Sequence, residues 1–346
     1  MFCKSLLRCA LPQIRHSKLV SRRHFHRRVG LVGVPFSKGQ TRGGVDTAPH
    51  VLRQAGLIGN LNELGYEVRD YGDLKFEQFS DDPPVHNVKN PRSVGNAVKK
   101  IADTVSMIIE NNEICLTIGG DHSMTVGTVN GHAEAEPGIV IVWIDAHADL
   151  NTPLSSDSGN IHGMPLSFVV KECQRYMPNV PGFDWVKPRI WARDIAYVGL
   201  RDVDPGERWL IEQLGISFYS IHEVDRYGIS EVLSRALEEV DPTGKRPIHL
   251  SYDIDALDPG LAPSTGTPVM GGLTLREGLF IAEEVAATGR LSAMDLVEVN
   301  PDLGDEAQKK RTIRTALEII KHSFGERRQG TYPPGYSLPV PENNSP

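Results

Sequence analysis

The first 45 residues of this 346-residue chain contain no aspartate or glutamate; the first acidic residue is Asp46. Residues 1–28 instead carry eight Lys or Arg and three His. An acid-free, arginine-rich, amphipathic head is typical of a mitochondrial transit peptide, and its lack of a continuous apolar core argues against a secretory signal. We therefore predict a transit peptide over residues 1–28 and a location in the mitochondrial matrix. A basic tail that stays on the protein is the alternative.

Beyond residue 28, the chain also has few cysteines, no long apolar run and no excess of positive charge. Outside the head only Cys115 and Cys173 remain, too few and too far apart for a disulfide framework. No run approaches the ~18 apolar residues that cross a bilayer, so no membrane partner is expected. Without the head, 29 Lys or Arg face 44 acids, a net charge of −15. Such a body repels a phosphate backbone, which argues against nucleic acid as a partner.

Short β-rich runs recur along the body, and most are apolar without strict alternation. This pattern is expected of strands that are covered on both faces. The predicted strands are Val29–Pro35, Glu67–Tyr71, Ile114–Ile118, Ile139–Ile144, Ile195–Leu200, Ile216–Ser220, Ile248–Tyr252 and Ser292–Val297.

Helical patterns lie between these runs. Apolar residues recur at helical spacing in Ser93–Glu110 and again in Ser230–Val240. A capping box at 274–277 begins a third helix, which Gly289 ends. The alternation predicts an α/β fold: one three-layer α/β/α domain around a mostly parallel sheet of about eight strands. We place this domain at residues 29–325 and read the Pro-rich residues 326–346 as a tail.

Acidic and imidazole side chains follow several predicted strands. In WIDAHADLN, Asp145, His147 and Asp149 stand at two-residue steps directly after an apolar run. Residues at i, i+2 and i+4 of extended backbone share a face, so the three side chains are expected to converge. Asp253 and Asp255 repeat the spacing after another strand. Ligands of open α/β sheets bind beyond the carboxyl ends of the strands, where these groups fall.

So many carboxylates cannot stay ionised together without a counter-charge, and a divalent cation is the obvious one. Oxygen ligands mixed with imidazole favour Mn²⁺ or a related octahedral ion over a structural zinc site. Four Asp and two His suit two ions that share carboxylates better than one. Taken alone, either Asp motif could be an ordinary polar turn. Together with Gly-Gly-Asp-His at a third strand end, they predict a two-metal centre.

These segments resemble the metal motifs of the arginase (ureohydrolase) family: GGDHS at 119–123, DAHAD at 145–149 and SYDIDALDP at 251–259. The resemblance covers roughly residues 29–325. The segment NTPLSSDSGNIHGMP, at 151–165, resembles arginases proper rather than agmatinases. With the basic head, the resemblance points to the mitochondrial, type II arginases.

The resemblance implies hydrolysis of L-arginine to L-ornithine and urea by a hydroxide that bridges two Mn²⁺ ions per subunit. One ion would be held by His122 and Asp149, the other by His147 and Asp255, with Asp145 and Asp253 bridging the pair. Asp149 would also orient the hydroxide, His162 would shuttle a proton, and Glu298 would hold the guanidinium. The other predicted substrate-binding residues are Asn151, Ser156, Ser158, Asp204, Glu207 and Thr267.

Two further expectations follow from the residues. Asn151, Ser156 and Ser158 offer short polar donors to an α-carboxylate, which L-arginine has and agmatine lacks. Asp121 and Asp258 are expected to orient metal ligands. The resemblance implies a homotrimer, with the segment after Gly325 and the Arg276–Glu277 region as interface candidates; a monomer with a loose tail is the alternative. Another guanidino or amide substrate, and a metal-bound protein without catalysis, remain rival functions.

Overall fold

Eight strands form a single sheet in the order β2-β1-β3-β8-β7-β4-β5-β6, and every neighbouring pair is parallel. This computed structural model describes residues 28–330, 332 and 336–340. The predicted fold class is confirmed. Because residues 1–27 lie outside the described part, the predicted transit peptide stays a prediction.

The strands fall within a few residues of the predicted runs. They are β1 (Arg28–Gly33), β2 (Glu67–Asp73), β3 (Ile114–Ile118), β4 (Val140–Ile144), β5 (Ile195–Leu200), β6 (Ser217–Ser220), β7 (Ile248–Asp253) and β8 (Leu291–Val297). The helices are α1 (Ala48–Gln54), α2 (Leu57–Glu63), α3 (Pro91–Glu110), α4 (Thr125–Ala135), α5 (Pro165–Val169), α6 (Pro205–Leu214), α7 (Ile221–Tyr227), α8 (Ile229–Val240), α9 (Leu275–Ala287) and α10 (Glu306–Ser323).

Both faces of the sheet are covered, which explains the continuous apolar runs of the central strands. Along β4, Ile141 and Trp143 join a core that includes α3 and α4, whereas Val140 and Val142 join a core that includes α8, α9 and α10. The side chains alternate between the two layers, as extended backbone requires. Among the described residues, no helix is long and apolar enough to cross a membrane.

Helices α3 and α4 approach each other through glycines. A Cβ added at Gly127 would overlap the carbonyl oxygen of Val98, and one at Gly131 would overlap that of Ala102. This contact fixes α4 and the turn that precedes it. That turn carries His122, at the carboxyl end of β3. Close helix packing therefore positions one side of the candidate site.

Candidate metal centre

Tight turns at the ends of β3 and β4 direct the metal-ligand candidates. Gly119 and Gly120 have φ of 82° and 80°, a left-handed conformation that favours glycine. After β4 the chain bends at Ala146–His147, and Asp149 has φ of 51°. The expected extended backbone through 145–149 is therefore wrong. The side chains converge because the chain turns, not because it stays in register with a strand.

The six predicted metal ligands do lie together, at the carboxyl ends of β3, β4 and β7. His122 Nδ1 is 3.1 Å from Asp145 Oδ2, 2.9 Å from Asp149 Oδ2 and 3.2 Å from Asp253 Oδ2. His147 Nδ1 is 3.4 Å from Asp145 Oδ1 and 3.2 Å from Asp255 Oδ2. These distances join all six side chains in one cluster.

Two overlapping groups within the cluster have metal-site dimensions. One consists of His122, Asp145 and Asp149, and the other of Asp145, His147 and Asp255. Asp145 belongs to both groups. Asp253 belongs to neither; one of its oxygens faces His122 and the other accepts the backbone N–H of Asp255.

Burial makes this cluster electrostatically unfavourable without added positive charge. Burial and neighbouring Asp145 raise the pKa of Asp149 to about 6. Burial, with Asp255 and Asp145 nearby, raises the pKa of Asp253 well above its usual range. Burial disfavours the charged form of His122, yet its carboxylate neighbours raise its pKa well above the ordinary value. Divalent cations would relieve this repulsion and keep the acids ionised.

The surroundings of His122 fit a metal ligand. Its Nε2 lies 2.9 Å from Ser251 Oγ, while the buried Nδ1 faces the carboxylates of Asp145, Asp149 and Asp253. Its ring stacks on Trp143 with centroids 4.2 Å apart, and the Trp143 Nε1–H donates to Asp145 Oδ2 at 3.0 Å. A metal-bound imidazole has this arrangement, with one nitrogen held by the protein and the other left for the ion.

Glu298 lies beside the cluster, directly after β8, with φ of 60°. Its Oε1 accepts the backbone N–H of His122 at 2.9 Å and lies 3.0 Å from His162 Nδ1. Its Oε2 is buried and has no hydrogen-bond partner among the described residues. Burial opposes ionisation of Glu298, but the His162 contact holds its pKa below the ordinary value. A free oxygen of an ionised, buried carboxylate is well suited to a cationic group.

The contact between His162 and Glu298 also changes the pKa of His162. Burial favours its neutral form, but Glu298 outweighs burial and raises the pKa of His162 to about 9. The imidazole is therefore protonated at neutral pH. Its backbone N–H donates to the carbonyl of Gly39 at 3.0 Å.

The predicted substrate-binding residues take different positions. Asn151 Nδ2 donates to Asp204 Oδ2 at 2.8 Å, and the Oγ atoms of Ser156 and Ser158 are 3.4 Å apart. Thr267 Oγ1 lies 3.0 Å from Asp255 Oδ2, next to the metal cluster.

The carboxylate of Glu207 is occupied by the backbone. It accepts the N–H groups of Leu150 and Asp204, each at 2.9 Å. It is 3% exposed, so it holds the start of α6 against the loop that follows the metal ligands. Its predicted substrate contact stays untested.

The two residues that were expected to orient metal ligands both accept backbone N–H groups. Asp121 accepts the backbone N–H groups of Gly39 and Ser123, and Asp258 accepts those of Gly260 and Gly271. Both carboxylates shape loops; no hydrogen bond joins either to a metal-ligand side chain in the described part of the chain.

The residues that contact His122 and Asp145 were instead missed. Ser251 and Trp143 each stand two residues before a ligand, Asp253 and Asp145, on the same face of the strand. The two-residue period was the available signal.

Comparison with known proteins agrees with this geometry. The sequence profile of the Arginase family matches residues 27–325. The chain belongs to the arginase family. It is 53% identical to hepatic arginase of Aquarana catesbeiana over 317 residues, which cover 91% of this chain and 98% of the relative. It is 51% identical to human arginase-1 over 309 residues, 89% of this chain and 96% of the relative.

Other members of the family extend the comparison. Mitochondrial arginase-2 of Rattus norvegicus is 46% identical over 337 residues, 97% of this chain and 92% of the relative. The arginase of Bacillus caldovelox superposes with a TM-score of 0.79 at 35% identity, covering 87% of this chain and 99% of that one. Entamoeba histolytica arginase in complex with L-ornithine gives 0.75 at 32% identity, covering 86% and 99%.

Proposed function

We propose that this protein hydrolyses L-arginine to L-ornithine and urea with two Mn²⁺ ions per subunit. The observation that carries the proposal is the meeting of six Asp and His side chains, five buried and one (His147) half-buried, beside an ionised glutamate. Among the described residues, one oxygen of that glutamate has no hydrogen-bond partner. Family membership and the names of the relatives support arginine as substrate. When bound, the two ions would acidify water enough to supply a nucleophile near neutral pH.

The chain's own carboxylates divide the work of holding the ions. His122 and Asp149 would bind one ion, His147 and Asp255 the other, and Asp145 and Asp253 both. Oxygen ligands of this number suit Mn²⁺. Asp149 would also accept a hydrogen bond from the nucleophile and orient it.

Glu298 would bind the substrate guanidinium through its free oxygen. A guanidinium offers paired N–H donors to a carboxylate, which fixes both distance and plane. Glu298 would thereby hold the central carbon of the guanidinium next to the metal cluster, so that the nucleophile and the carbon meet in a fixed geometry. Thr267, whose hydroxyl donates a hydrogen bond to Asp255, would contact the guanidinium end of the substrate.

His162 would deliver the proton that the leaving amine requires. A neutral amine is a far better leaving group than its anion, so the imidazolium acts as general acid. Its raised pKa keeps it charged across the physiological range. Glu298 therefore serves both the substrate and the charge state of His162.

Recognition of an amino acid, rather than a simple guanidine, would come from the loop after the metal ligands. Asn151, Ser156 and Ser158 present an amide and two hydroxyls, with Asp204 for the α-amine. A substrate without the carboxylate leaves such donors unpaired, at a cost of about 1–3 kcal/mol each. We therefore expect strong preference for L-arginine over agmatine.

Location and assembly are part of the proposal. The acid-free head supports import into the mitochondrial matrix, as does a match to a relative named mitochondrial that covers 97% of this chain. For assembly we propose a homotrimer. Arg328 bonds Glu283 and the carbonyl of Arg276, which places the start of the C-terminal segment on α9, while Leu338 and Val340 are exposed. Sedimentation at the mass of a single chain would contradict the trimer.

The deciding experiment is urea release by purified protein from L-arginine and from agmatine, with and without added Mn²⁺, beside metal analysis. We expect Mn²⁺-dependent release from L-arginine and little from agmatine. Undiminished activity after exhaustive chelation would contradict the metal mechanism. Equal turnover of both substrates would contradict the assignment of the loop residues.

A further inference from the structure

A turn over residues 85–90 lies outside every sequence motif and is built at a backbone cost. His86, Asn87 and Asn90 have φ of 50°, 66° and 49°, in the left-handed region that residues other than glycine occupy at a cost. Val85 and Val88 close the turn with two backbone hydrogen bonds. Strain of this kind persists where the surrounding structure imposes it, and what the turn contacts shows why.

The 85–90 turn contacts the loop that carries the two candidate carboxylate-reading serines. Asn87 Nδ2 donates to the backbone carbonyl of Ser156 at 2.7 Å. The backbone N–H of Lys89 donates to the carbonyl of Gly159 at 2.9 Å, and Lys89 Nζ lies 3.2 Å from Asn160 Oδ1. Three successive points of that loop are thus held from one side.

These contacts bear directly on the two hydroxyls. Gly159 has φ of 70°, and a Cβ added to it would overlap the backbone oxygen of Asn87. In this position its N–H donates to Ser156 Oγ at 3.0 Å. The next N–H, from Asn160, donates to Ser158 Oγ at 3.2 Å. The turn therefore sets the place of each serine oxygen through the backbone that bonds to it.

The same turn reaches the opposite wall of the site. Asn90 Nδ2 donates to the carbonyl of Lys38 at 3.0 Å. The next residue, Gly39, accepts the backbone N–H of His162 and donates to Asp121. One strained turn thus joins the segment that flanks His162 to the loop that would read the substrate's amino-acid end.

We propose that Asn87 is a positioning residue for recognition of the α-carboxylate end of the substrate, acting through its hydrogen bond to Ser156. This inference rests on the proposed function. Asn87 is exposed, and it is neither a proposed metal ligand nor a proposed proton-transfer residue. Its role is to keep the serine loop at one distance from the metal cluster, which fixes the length of amino acid that spans the two ends.

The test compares two asparagine-to-glycine variants. Asn87→Gly keeps a backbone conformation that glycine adopts readily but removes the side-chain donor. Asn112→Gly is the matched control, because Asn112 is exposed, has φ of 57° and lies in the α3–β3 connection. We measure kcat and KM for L-arginine, inhibition by L-ornithine, manganese content and thermal unfolding of the holoenzyme.

Loss of one hydrogen bond in Asn87→Gly is expected to raise the KM for L-arginine and the inhibition constant of L-ornithine roughly three- to tenfold. We expect kcat, manganese content and unfolding temperature to match those of Asn112→Gly. Equal KM in the two variants, or a loss confined to kcat or metal content, would overturn the inference alone. A wild-type protein that releases no urea from L-arginine would overturn the proposed function instead.

Discussion

At the scale of single residues, two acids of the candidate site occupy costly backbone conformations. Asp149 and Glu298 both have positive φ, which costs a residue with a Cβ about 1–2 kcal/mol. In return, each carboxylate leaves the line of its strand and turns into the cluster, where Asp149 meets His122 and Glu298 meets His162. The folded chain therefore fixes these positions at the expense of stability.

Asp253→Ala tests the bridging assignment. Removing a carboxylate that would serve both ions should lower manganese content to below half of the wild-type value and urea release by at least about 100-fold. Asp258→Ala, from the same SYDIDALDP segment, is the control, since the Asp258 carboxylate accepts the backbone N–H groups of Gly260, Gly271 and Gly272. Metal analysis after dialysis measures the manganese content of both variants. Full manganese content in Asp253→Ala would refute its bridging role.

Glu298→Gln tests the guanidinium site. The amide keeps the shape but loses the charge that pairs with the substrate, and a hydrogen bond to a charged group contributes about 1.5–3 kcal/mol. We expect kcat/KM to fall roughly 100-fold, with both ions retained. Steady-state kinetics and metal analysis together make the measurement. Normal kinetics would show that the guanidinium binds elsewhere.

The His162–Glu298 pair predicts a pH dependence of stability. The pKa of His162 rises from 6.5 to about 9 in the folded state, so its contribution is complete below pH 6.5 and disappears as the pH rises through about 9. The lowered pKa of Glu298 places its own loss on the acid side, as the pH falls. Unfolding of the metal-free protein and of His162→Gln is measured between about pH 6 and about pH 10. A stability difference that stays constant over this range would contradict the pairing.

At the scale of elements, close helix packing supports the turn that carries His122. Gly131 of α4 lies against the carbonyl of Ala102 in α3, so Gly131→Ala should overpack the contact and cost about 1–3 kcal/mol. Gly59 in α2 has open space around its Cα, and Gly59→Ala should be neutral or stabilise by up to about 1 kcal/mol. Denaturant unfolding compares the two. Equal stability changes would show that the α3–α4 contact is not tight.

The strands and three of the ten α-helices in the described part of the chain were predicted, because their signals are local. Short β-rich runs, most of them apolar, identified the eight strands of the sheet, and the capping box at 274–277 gave the start of α9 to within a residue. The order of the strands was not predictable, since it depends on which helices cover which face. Long-range polar contacts were not predicted either, because they too depend on how distant elements pack. His132 Nδ1 lies 3.0 Å from His249 Nδ1, and His249 Nε2 lies 2.9 Å from Asp295 Oδ2, although no spacing joins these residues.

The site was largely predictable as a set of residues but not as a geometry. Residue types and spacing indicated the acids and histidines, yet the extended backbone assumed for 145–149 was wrong because Asp149 turns left-handed. The support that the 85–90 turn gives to residues 156–160 arises only when distant segments meet. Such contacts depend on the fold and leave no pattern in the chain.

At the scale of the whole molecule, metal binding and folding should be coupled. The buried acids repel one another without cations, so Mn²⁺ should stabilise the folded chain, by about 2.7 kcal/mol at one hundred times its dissociation constant. We expect a higher unfolding temperature with Mn²⁺ than after chelation. Affinity should weaken as the pH falls, because protons compete for the same ligands. Differential scanning fluorimetry at several pH values measures both effects. An unchanged unfolding temperature would contradict the cluster as a metal site.

The hydrogen bond from the His122 backbone to Glu298 spans 176 positions of sequence. A ribosome has made most of the protein before the second partner exists, so a nascent or partly threaded chain has no complete cage for its ions. If the chain is imported through a narrow translocation channel before it folds, it reaches the mitochondrial matrix without bound manganese. Activity would then depend on the manganese supply of the receiving compartment rather than on that of the place of synthesis.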